Sequence, residues 1–304
     1  MRWVALTAVA PVAWGTNYFV THGFLPPDTP LYGAALRALP AGLVLLALCR
    51  RRPRGAWWWR SAVLGLLNVS VFFVLVYAAS QLLPTSIAST VMAVSPLAMM
   101  LIAWVLVSER PGIAHLAGAA IGLAGVCLML LTGIEGVSMP GVFASLAAML
   151  VSSFGHILTK RWNTGVDVLA STAWQLTAGG LFLLPVAAAV EGSPPVFSTS
   201  ALLAFSYVTL VATALAFAAW FTGLRHLPAG TVGLVGLLNP LTGVLLGTAV
   251  AAEVLTVQQW CGLALVLTGV VLGRPTRASR HGSRTPPHPV SNGRPAESST
   301  CNPR

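Results

Sequence analysis

The sequence predicts an all-α integral membrane protein with ten transmembrane helices, arranged as two inverted repeats of five helices each. Three observations lead to this fold class. Of the 304 residues, 56% are hydrophobic and only 8% are charged, whereas a soluble domain carries about 25% charged residues. Apolar stretches long enough to cross a bilayer recur along the chain, and part of the first half is repeated in the second half.

The apolar stretches are roughly 18 to 23 residues long, and at 1.5 Å per residue each can cross a hydrocarbon core of about 30 Å. They must be helices, because a lipid-exposed backbone has to satisfy its own hydrogen bonds. A cleaved signal peptide would explain the first stretch but not the nine that follow. In chain order, the predicted spans are 3–22, 31–49, 62–79, 85–107, 113–132, 140–158, 168–190, 202–224, 230–252 and 257–273.

The charged residues predict the orientation of these spans. If the N-terminus is cytoplasmic, 16 of the 17 basic residues fall in inner segments, and the remaining one, Arg37, lies inside a span. The outer loops hold acids instead, namely Asp28, Glu135, Glu191 and Glu253. The positive-inside rule therefore places both termini in the cytoplasm. The alanine- and arginine-rich composition is typical of a bacterial GC-rich genome, so we expect the chain in the bacterial plasma membrane. The net charge of +10 reflects this topology and the contact with lipid, and no nucleic-acid partner is predicted.

An internal repeat relates the two halves at an offset of 144 residues. Residues 83–128 match residues 227–272 without gaps, and 13 of the 46 positions are identical. Because the repeat unit holds five spans, an odd number, the second copy crosses the membrane in the opposite sense, which is typical of secondary transporters. Duplication alone could also stabilise a bundle that transports nothing. The matches that are rare in membrane helices are Pro84 with Pro228, Pro96 with Pro240, Glu109 with Glu253, Gly118 with Gly262, and Gly125 with Gly269.

Residues 3–273 resemble the ten-span EamA-type members of the drug/metabolite transporter superfamily. The resemblance rests on WGTNYFV in the first span, Arg37 in the second, LPTSIASTVMAVSPL before Glu109, and LPAGTVGLVGLLNPL before Glu253. It implies one five-helix repeat over 1–133 and an inverted repeat over 139–273. Residues 274–304, rich in arginine, proline and serine, are predicted to form a disordered basic cytoplasmic tail.

Paired prolines suggest where a substrate would bind. Pro96 and Pro240 fall near the centres of the fourth and ninth spans, and proline in a helix interior removes a hydrogen bond and frees a carbonyl. Broken helices at corresponding positions of two inverted repeats mark the substrate site in many transporters. Ser95 and Asn239 add polar groups there. The alternative is a packing kink satisfied by a neighbouring helix, but the paired placement favours a cavity.

The other candidate substrate-binding residues are polar or aromatic side chains within spans. Arg37 would suit an anion or a substrate carboxylate, although it could also snorkel outward or bind backbone carbonyls. Asn17, next to Tyr18, is predicted to face the bundle, where it would contact substrate or make an interhelical hydrogen bond. Weaker candidates, which could equally anchor span ends at the interface, are Tyr77, Gln175, Tyr207 and Trp220.

Few side chains could couple transport to an ion, since no Asp or Glu lies in the interior of any predicted span. His156 is the candidate proton relay, and the alternative is a histidine that snorkels to the interface. Glu109 and Glu253 close the fourth and ninth spans, and helix-end salt bridges or caps explain them better than coupling-ion sites do.

These patterns predict a secondary transporter of a small organic metabolite, amino-acid-like or drug-like, and favour export. A membrane channel or a non-transporting structural membrane protein remains the alternative. No enzyme is predicted, because the sequence has no G-x-S-x-G elbow, no H-E-x-x-H and no paired intramembrane aspartates. The four scattered cysteines indicate neither a metal site nor a disulfide framework, and no cofactor is predicted. The motifs Gly118-x-x-x-Gly122 and Gly243-x-x-x-Gly247 permit close helix packing inside the bundle or in a homodimer.

Overall fold

Helices account for all the regular secondary structure in the described part of the chain. The computed structural model describes residues 1–24, 29–83, 91–130, 138–195, 197–251 and 256–272. The α-helices are α1 Arg2–Phe24, α2 Pro30–Cys49, α3 Trp57–Gly65, α4 Phe72–Leu82, α5 Ser95–Val107, α6 Ile113–Leu130, α7 Met139–Trp162, α8 Val168–Glu191, α9 Thr199–Thr209, α10 Ala216–His226, α11 Ala229–Gly236, α12 Leu238–Ala251 and α13 Val257–Leu272. Two short π-helices, π1 Leu66–Val71 and π2 Leu210–Leu215, join α3 to α4 and α9 to α10. The predicted tail, 274–304, lies outside the described residues.

Five helical stretches are long and apolar enough to cross a membrane, namely Pro30–Cys49, Trp57–Ala79, Met139–Trp162, Val168–Glu191 and Thr199–His226. They coincide with the second, third, sixth, seventh and eighth predicted spans. Four shorter apolar helical stretches are Ser95–Val107, Ile113–Leu128, Ala229–Thr242 and Val257–Leu272. The predicted all-α class is therefore confirmed for the described residues.

Two long helices contain a π-helical segment that the sequence analysis did not predict. The predicted third span, 62–79, is part of one continuous helical stretch made of α3, π1 and α4, and the eighth is made of α9, π2 and α10. Both π-helices are six residues long, and they lie 144 positions apart in the sequence. A π-helical turn holds one more residue than an α-helical turn. Each segment therefore shifts the faces that its helix presents before and after it.

Pro96 and Pro240 were expected in the interiors of the fourth and ninth spans. Each lies instead in the first turn of a helix. α5 begins at Ser95, immediately after a turn at residues 93–94, with Pro96 in its first turn. α12 begins at Leu238, after the break at Leu237, and Pro240 lies in its first turn. The backbone N–H groups of a first turn have no intrahelical partner, so proline loses nothing there and its fixed φ suits the helix. The helices are thus broken just before the prolines, and not bent at them.

Glycines let two helix pairs approach closely. In the α2–α8 pair, a Cβ added at Gly42 would lie 2.5 Å from the backbone N of Thr177, and one added at Gly180 would lie 2.7 Å from the Cβ of Leu39. In the α6–α13 pair, a Cβ at Gly125 would lie 2.6 Å from the Gly262 carbonyl oxygen. These helices pack with their backbones almost in contact.

The reciprocal contact in the α6–α13 pair is made by the equivalent residues of the repeat. A Cβ at Gly269 would lie 2.5 Å from the Gly118 carbonyl oxygen. Gly125 corresponds to Gly269, and Gly118 to Gly262, at the offset of 144. The predicted packing role of Gly118 is thus observed.

Carboxylates cap two helices from neighbouring helix ends. Glu191, at the end of α8, accepts hydrogen bonds from the backbone N–H groups of Leu31 at 2.6 Å and Tyr32 at 2.8 Å. Glu109, just after α5, accepts from Ala229 N at 2.9 Å and pairs with Lys160 at 2.5 Å. A negative charge at a helix N-terminus is stabilising, so the predicted cap and salt bridge are confirmed for Glu109. Glu253 lies outside the described residues.

Candidate functional site

Arg37 extends from α2 to the second π-helix. Its Nε donates to Thr213 Oγ1 at 3.0 Å, and its Nη2 lies 3.5 Å from the Ala212 carbonyl oxygen. The guanidinium carbon lies 5.2 Å from the centre of the Phe73 ring, within the range of a cation–π contact. The side chain therefore stays inside the bundle. Its contact with the Ala212 carbonyl agrees with one predicted alternative, in which Arg37 binds backbone carbonyls.

A central aromatic cluster surrounds the middle of α1. It consists of Trp14, His156, Phe217, Trp220 and Phe221, from α1, α7 and α10. The Trp14 ring lies 5.4 Å from Phe217 and 5.3 Å from Trp220, and its Nε1 donates to the Ala212 carbonyl at 3.0 Å. The same carbonyl faces Arg37, so the arginine and the cluster are neighbours.

His156 belongs to this cluster and does not reach out to the interface. Its ring lies 5.6 Å from Trp220 and 5.7 Å from Phe221, both of which are buried. The snorkelling interpretation of this histidine is therefore wrong, because the ring points into the bundle. Its role as a proton relay stays a prediction.

The break between α11 and α12 lies against the cluster and against α1. A Cβ added at Gly236 would lie 3.2 Å from the Trp220 ring, and one added at Gly15 would lie 2.7 Å from the Asn239 carbonyl oxygen. Asn239 and Pro240 are in the first turn of α12. The structure thus brings four predicted residues, Arg37, Trp220, Asn239 and Pro240, around the middle of α1.

Two buried polar atoms at this place have no hydrogen-bond partner among the described residues. Trp220 is 3% exposed, and its Nε1 donor is unpaired, as is the Oδ1 acceptor of Asn239. A buried polar atom without a partner costs about 1–3 kcal/mol, so such atoms are rare unless they serve a purpose. A donor and an acceptor beside a broken helix are suited to a polar ligand.

α1 contributes further polar groups just beyond the aromatic cluster. Thr16 Oγ1 lies 2.8 Å from the Ala13 carbonyl and 2.6 Å from the hydroxyl of Tyr207 in α9. This contact joins a predicted weak candidate, Tyr207, to the first span. The side chains of Asn17 and Tyr18 lie outside the described residues, so their predicted roles stay predictions.

Gln175 belongs to a separate buried network at the first π-helix. Its Oε1 accepts from Asn68 Nδ2 at 2.8 Å, and the same amide donates to Thr159 Oγ1 at 3.1 Å. Gln175 Nε2 and Asn68 Oδ1 have no partner among the described residues. Gln175 thus forms a hydrogen bond with a side chain of π1, as Arg37 does with a side chain of π2.

The remaining candidates lie elsewhere in the bundle. Tyr77 packs against a buried group that includes Leu31 and Ala187. Pro96 is buried against α11, where a Cβ added at Gly233 would lie 2.9 Å from its Cα, and Ser95 precedes it at the start of α5.

Three site residues were not predicted from the sequence, namely Trp14, Asn68 and Thr213. Trp14 lies in the WGTNYFV segment that carries the family resemblance, so a signal for it was present. Asn68 and Thr213 matter because each π-helix meets a polar side chain from a distant helix. Nothing in the local sequence predicts such a long-range contact.

Comparisons with known proteins agree with the predicted resemblance. Residues 1–131 and 139–273 each match the sequence model of the EamA-like transporter family. The chain is 34% identical over 265 residues to Protein PecM of Dickeya dadantii, a match that covers 86% of this chain and 89% of PecM. It is 29% identical over 266 residues to the uncharacterized inner membrane transporter YedA of Escherichia coli K12, with coverage of 86% and 87%.

A third relative and a solved structure extend the comparison. The uncharacterized transporter YvbV of Bacillus subtilis is 27% identical over 282 residues, with coverage of 89% of this chain and 91% of YvbV. A crystal structure with 23% sequence identity superposes with a TM-score of 0.76, over 89% of this chain and 96% of that one. At this identity the superposition shows that the two proteins share a fold.

Proposed function

Because this chain belongs to the EamA-like transporter family, we propose that it is a secondary transporter that exports a small organic metabolite by alternating access. Family membership over nearly the whole chain is the observation that carries this proposal, and the protein is a transporter and not an enzyme. The substrate class we propose is amino-acid-like or drug-like. Relatives named as inner membrane transporters support a location in the bacterial cytoplasmic membrane.

The proposed topology has ten spans and two cytoplasmic termini. The helices support ten spans if those interrupted by π-helices or by breaks before proline are counted as single crossings. Thus α3, π1 and α4 form the third span, and α11 and α12 form the ninth. The distribution of basic residues supports cytoplasmic termini.

An inverted repeat is supported by matching irregularities in the two halves. The π-helices, the helices that follow them (α4 and α10) and the helices that begin at the prolines (α5 and α12) all recur near the offset of 144. The reciprocal glycine contacts of α6 and α13 follow the same offset. Two halves of similar structure and opposite orientation can exchange conformations, so that the site opens to one side and then to the other.

The proposed substrate site is the region around the middle of α1. There Arg37 provides a positive charge, Trp220 Nε1 an unpaired donor and Asn239 Oδ1 an unpaired acceptor. The central aromatic cluster supplies apolar walls. A small solute with an acidic group, a hydrogen-bond donor such as an amino group, and an apolar body would match all three polar groups. The acid would face Arg37 and Trp220 Nε1, and the donor would face Asn239 Oδ1, since a pocket binds tightly when its few polar groups are matched.

A polar junction closes one end of the bundle. Glu109 pairs with Lys160 and caps α11 at Ala229, and Lys160 Nζ donates to the Leu227 carbonyl at 2.8 Å. One carboxylate thus joins the ends of α5, α7 and α11. In the proposed topology this end is cytoplasmic, so the junction must open when the site faces inward.

The proposed function is tested by counterflow in proteoliposomes loaded with a pooled metabolite library. One solute or one chemical class should exchange with saturation kinetics in the wild type. Asn239→Ala and Arg37→Ala should abolish that exchange while the protein remains folded. Gln258→Ala and Arg225→Ala, which change an exposed side-chain amide and an exposed arginine, should exchange like the wild type.

The alternatives predict different results in the same assay. A channel would show flux that rises linearly with concentration and no counterflow. A structural protein would show no flux for any solute. If counterflow occurs but the Asn239 and Arg37 variants retain it, the protein is a carrier and the proposed site is wrong.

A further inference from the structure

The connection between α2 and α3 presents a row of exposed arginines on a fixed backbone. Arg50, Arg51, Arg52 and Arg54, here called the arginine loop, are all exposed. The loop backbone is anchored at two points, because Arg50 N donates to the Leu46 carbonyl at 2.8 Å and Trp174 Nε1 donates to the Arg51 carbonyl at 2.8 Å. The guanidinium groups therefore extend from a positioned segment.

Tryptophans lie directly beside the arginine loop, at the start of α3. Trp58 is 66% exposed and Trp59 is 52% exposed. Arg60 is surrounded by indole rings, with its guanidinium carbon 5.9 Å from Trp57, 5.7 Å from Trp59 and 5.5 Å from Trp162. Its Nε is buried and has no hydrogen-bond partner among the described residues.

No carboxylate neutralises these arginines within the described part of the chain. There the one ion pair joins Lys160 to Glu109. Asp167 caps α8, where it accepts from Leu169 N at 3.2 Å. The arginine loop therefore forms a positively charged face, and Arg60 and the tryptophans at the start of α3 follow it directly in the chain.

We propose that this face binds the headgroup of an anionic phospholipid. The planar guanidinium fork matches the oxygens of a phosphate. Indole rings prefer the level of the headgroups in a bilayer, and basic clusters beside a membrane helix attract anionic lipids. The exposed guanidinium groups of the arginine loop contact the phosphate, and the exposed Trp58 and Trp59 lie at the level of the headgroups beside them. The proposed topology assigns this lipid to the cytoplasmic leaflet.

The test compares the full-length protein in nanodiscs of phosphatidylcholine alone and of an equal mixture with phosphatidylglycerol. One variant carries Arg50→Gln, Arg51→Gln, Arg52→Gln and Arg54→Gln. A control of the same net charge carries Arg274→Gln, Arg277→Gln, Arg280→Gln and Arg284→Gln. Phosphatidylglycerol should raise the unfolding temperature of the wild type and of the control by several degrees, and native mass spectrometry should show retained lipid. The loop variant should lose both effects.

Three results would overturn the proposal. Equal loss of the lipid effect in both variants would show attraction by net charge alone, and an equal stabilisation by inorganic phosphate would show a site for the free anion. If the glutamine variant fails to fold in phosphatidylcholine, the four Arg→Lys substitutions decide instead, since they keep the charge but lose the guanidinium fork. These should retain several-fold less phosphatidylglycerol, and unchanged retention would contradict the proposal.

Discussion

At the scale of single residues, the unpaired acceptor of Asn239 distinguishes a binding role from a structural one. A residue kept for stability has its polar atoms paired, whereas Asn239 Oδ1 has no partner among the described residues. Asn239→Leu removes an unsatisfied polar atom and keeps the number and branching of the side-chain heavy atoms. It should leave the free energy of unfolding unchanged or raise it by about 1 kcal/mol. Counterflow should fall at least tenfold, because a lost substrate hydrogen bond is worth about 1.4 kcal/mol.

Thermal unfolding in detergent and counterflow in proteoliposomes measure the two effects of Asn239→Leu separately. A less stable protein with normal counterflow would mean that Asn239 supports the fold and does not contact the substrate.

Thr213 provides a second test at this scale, because it positions Arg37. Its hydroxyl accepts from Arg37 Nε at 3.0 Å and donates to the Val208 carbonyl at 2.8 Å. Thr213→Val keeps the shape of the side chain but leaves the charged donor without this partner. We expect a loss of about 1–2 kcal/mol in unfolding free energy and a several-fold rise in the KM for counterflow.

Thr222→Val is the matched control for Thr213→Val. The Thr222 hydroxyl donates to the carbonyl one turn before it, at Ala218, and has no other described hydrogen bond. This variant should behave like the wild type in both measurements. An equal effect of the two substitutions would mean that loss of any helical hydroxyl, and not the contact with Arg37, explains the change.

At the scale of elements, glycine contacts set the distance between α6 and α13. Gly125→Ala places a Cβ 2.6 Å from the Gly262 carbonyl oxygen, so the helices must move apart. Such overpacking costs about 1–3 kcal/mol, and we expect a lower unfolding temperature in detergent. In the control, Gly33→Ala in α2, the new Cβ meets nothing within 4 Å, so the protein should be as stable as the wild type or more stable.

The two unfolding temperatures together test whether α6 and α13 pack as closely in the detergent-solubilised protein as in the structure. If Gly125→Ala and Gly33→Ala shift the unfolding temperature equally, the two helices do not make the close contact that the structure shows.

The elements also show what the sequence could predict. Apolar length alone located the helices, because a bilayer requires about 20 apolar residues from each crossing helix. It did not predict π1 and π2. Side chains of these segments form hydrogen bonds with Gln175 and Arg37, which lie more than 100 positions away in the chain, so a local pattern does not indicate them. Breaks were predicted near Pro96 and Pro240, but with the prolines in the helix interior and not in the first turn of a new helix. Local sequence does not distinguish a proline that bends a helix from one that begins it.

At the scale of the whole molecule, charge and repetition were more informative than any single residue. The uneven distribution of arginines predicted an orientation, and the offset of 144 residues predicted which helices correspond. The convergence of Arg37, Trp220 and Asn239 around α1 could not be predicted, because the residues come from α2, α10 and α12. It depends on how the two halves pack together, and the sequence of each half does not encode that packing separately.

The Glu109–Lys160 ion pair is central to the junction that closes one end of the bundle. Glu109→Gln keeps a side-chain oxygen for Ala229 N but removes the charge that pairs with Lys160, which should weaken the junction by about 1–3 kcal/mol. A small pocket lies beside it, lined in part by Ala103 and His115. We therefore expect a cysteine introduced by Ala103→Cys, in a background without the native cysteines, to react several-fold faster with a water-soluble maleimide when Glu109→Gln is present.

Arg110→Gln removes a neighbouring charge that makes no described ion pair, so it should leave the labelling rate unchanged. If Glu109→Gln only lowers the unfolding temperature and labelling stays slow, the ion pair stabilises the fold without controlling access to the site.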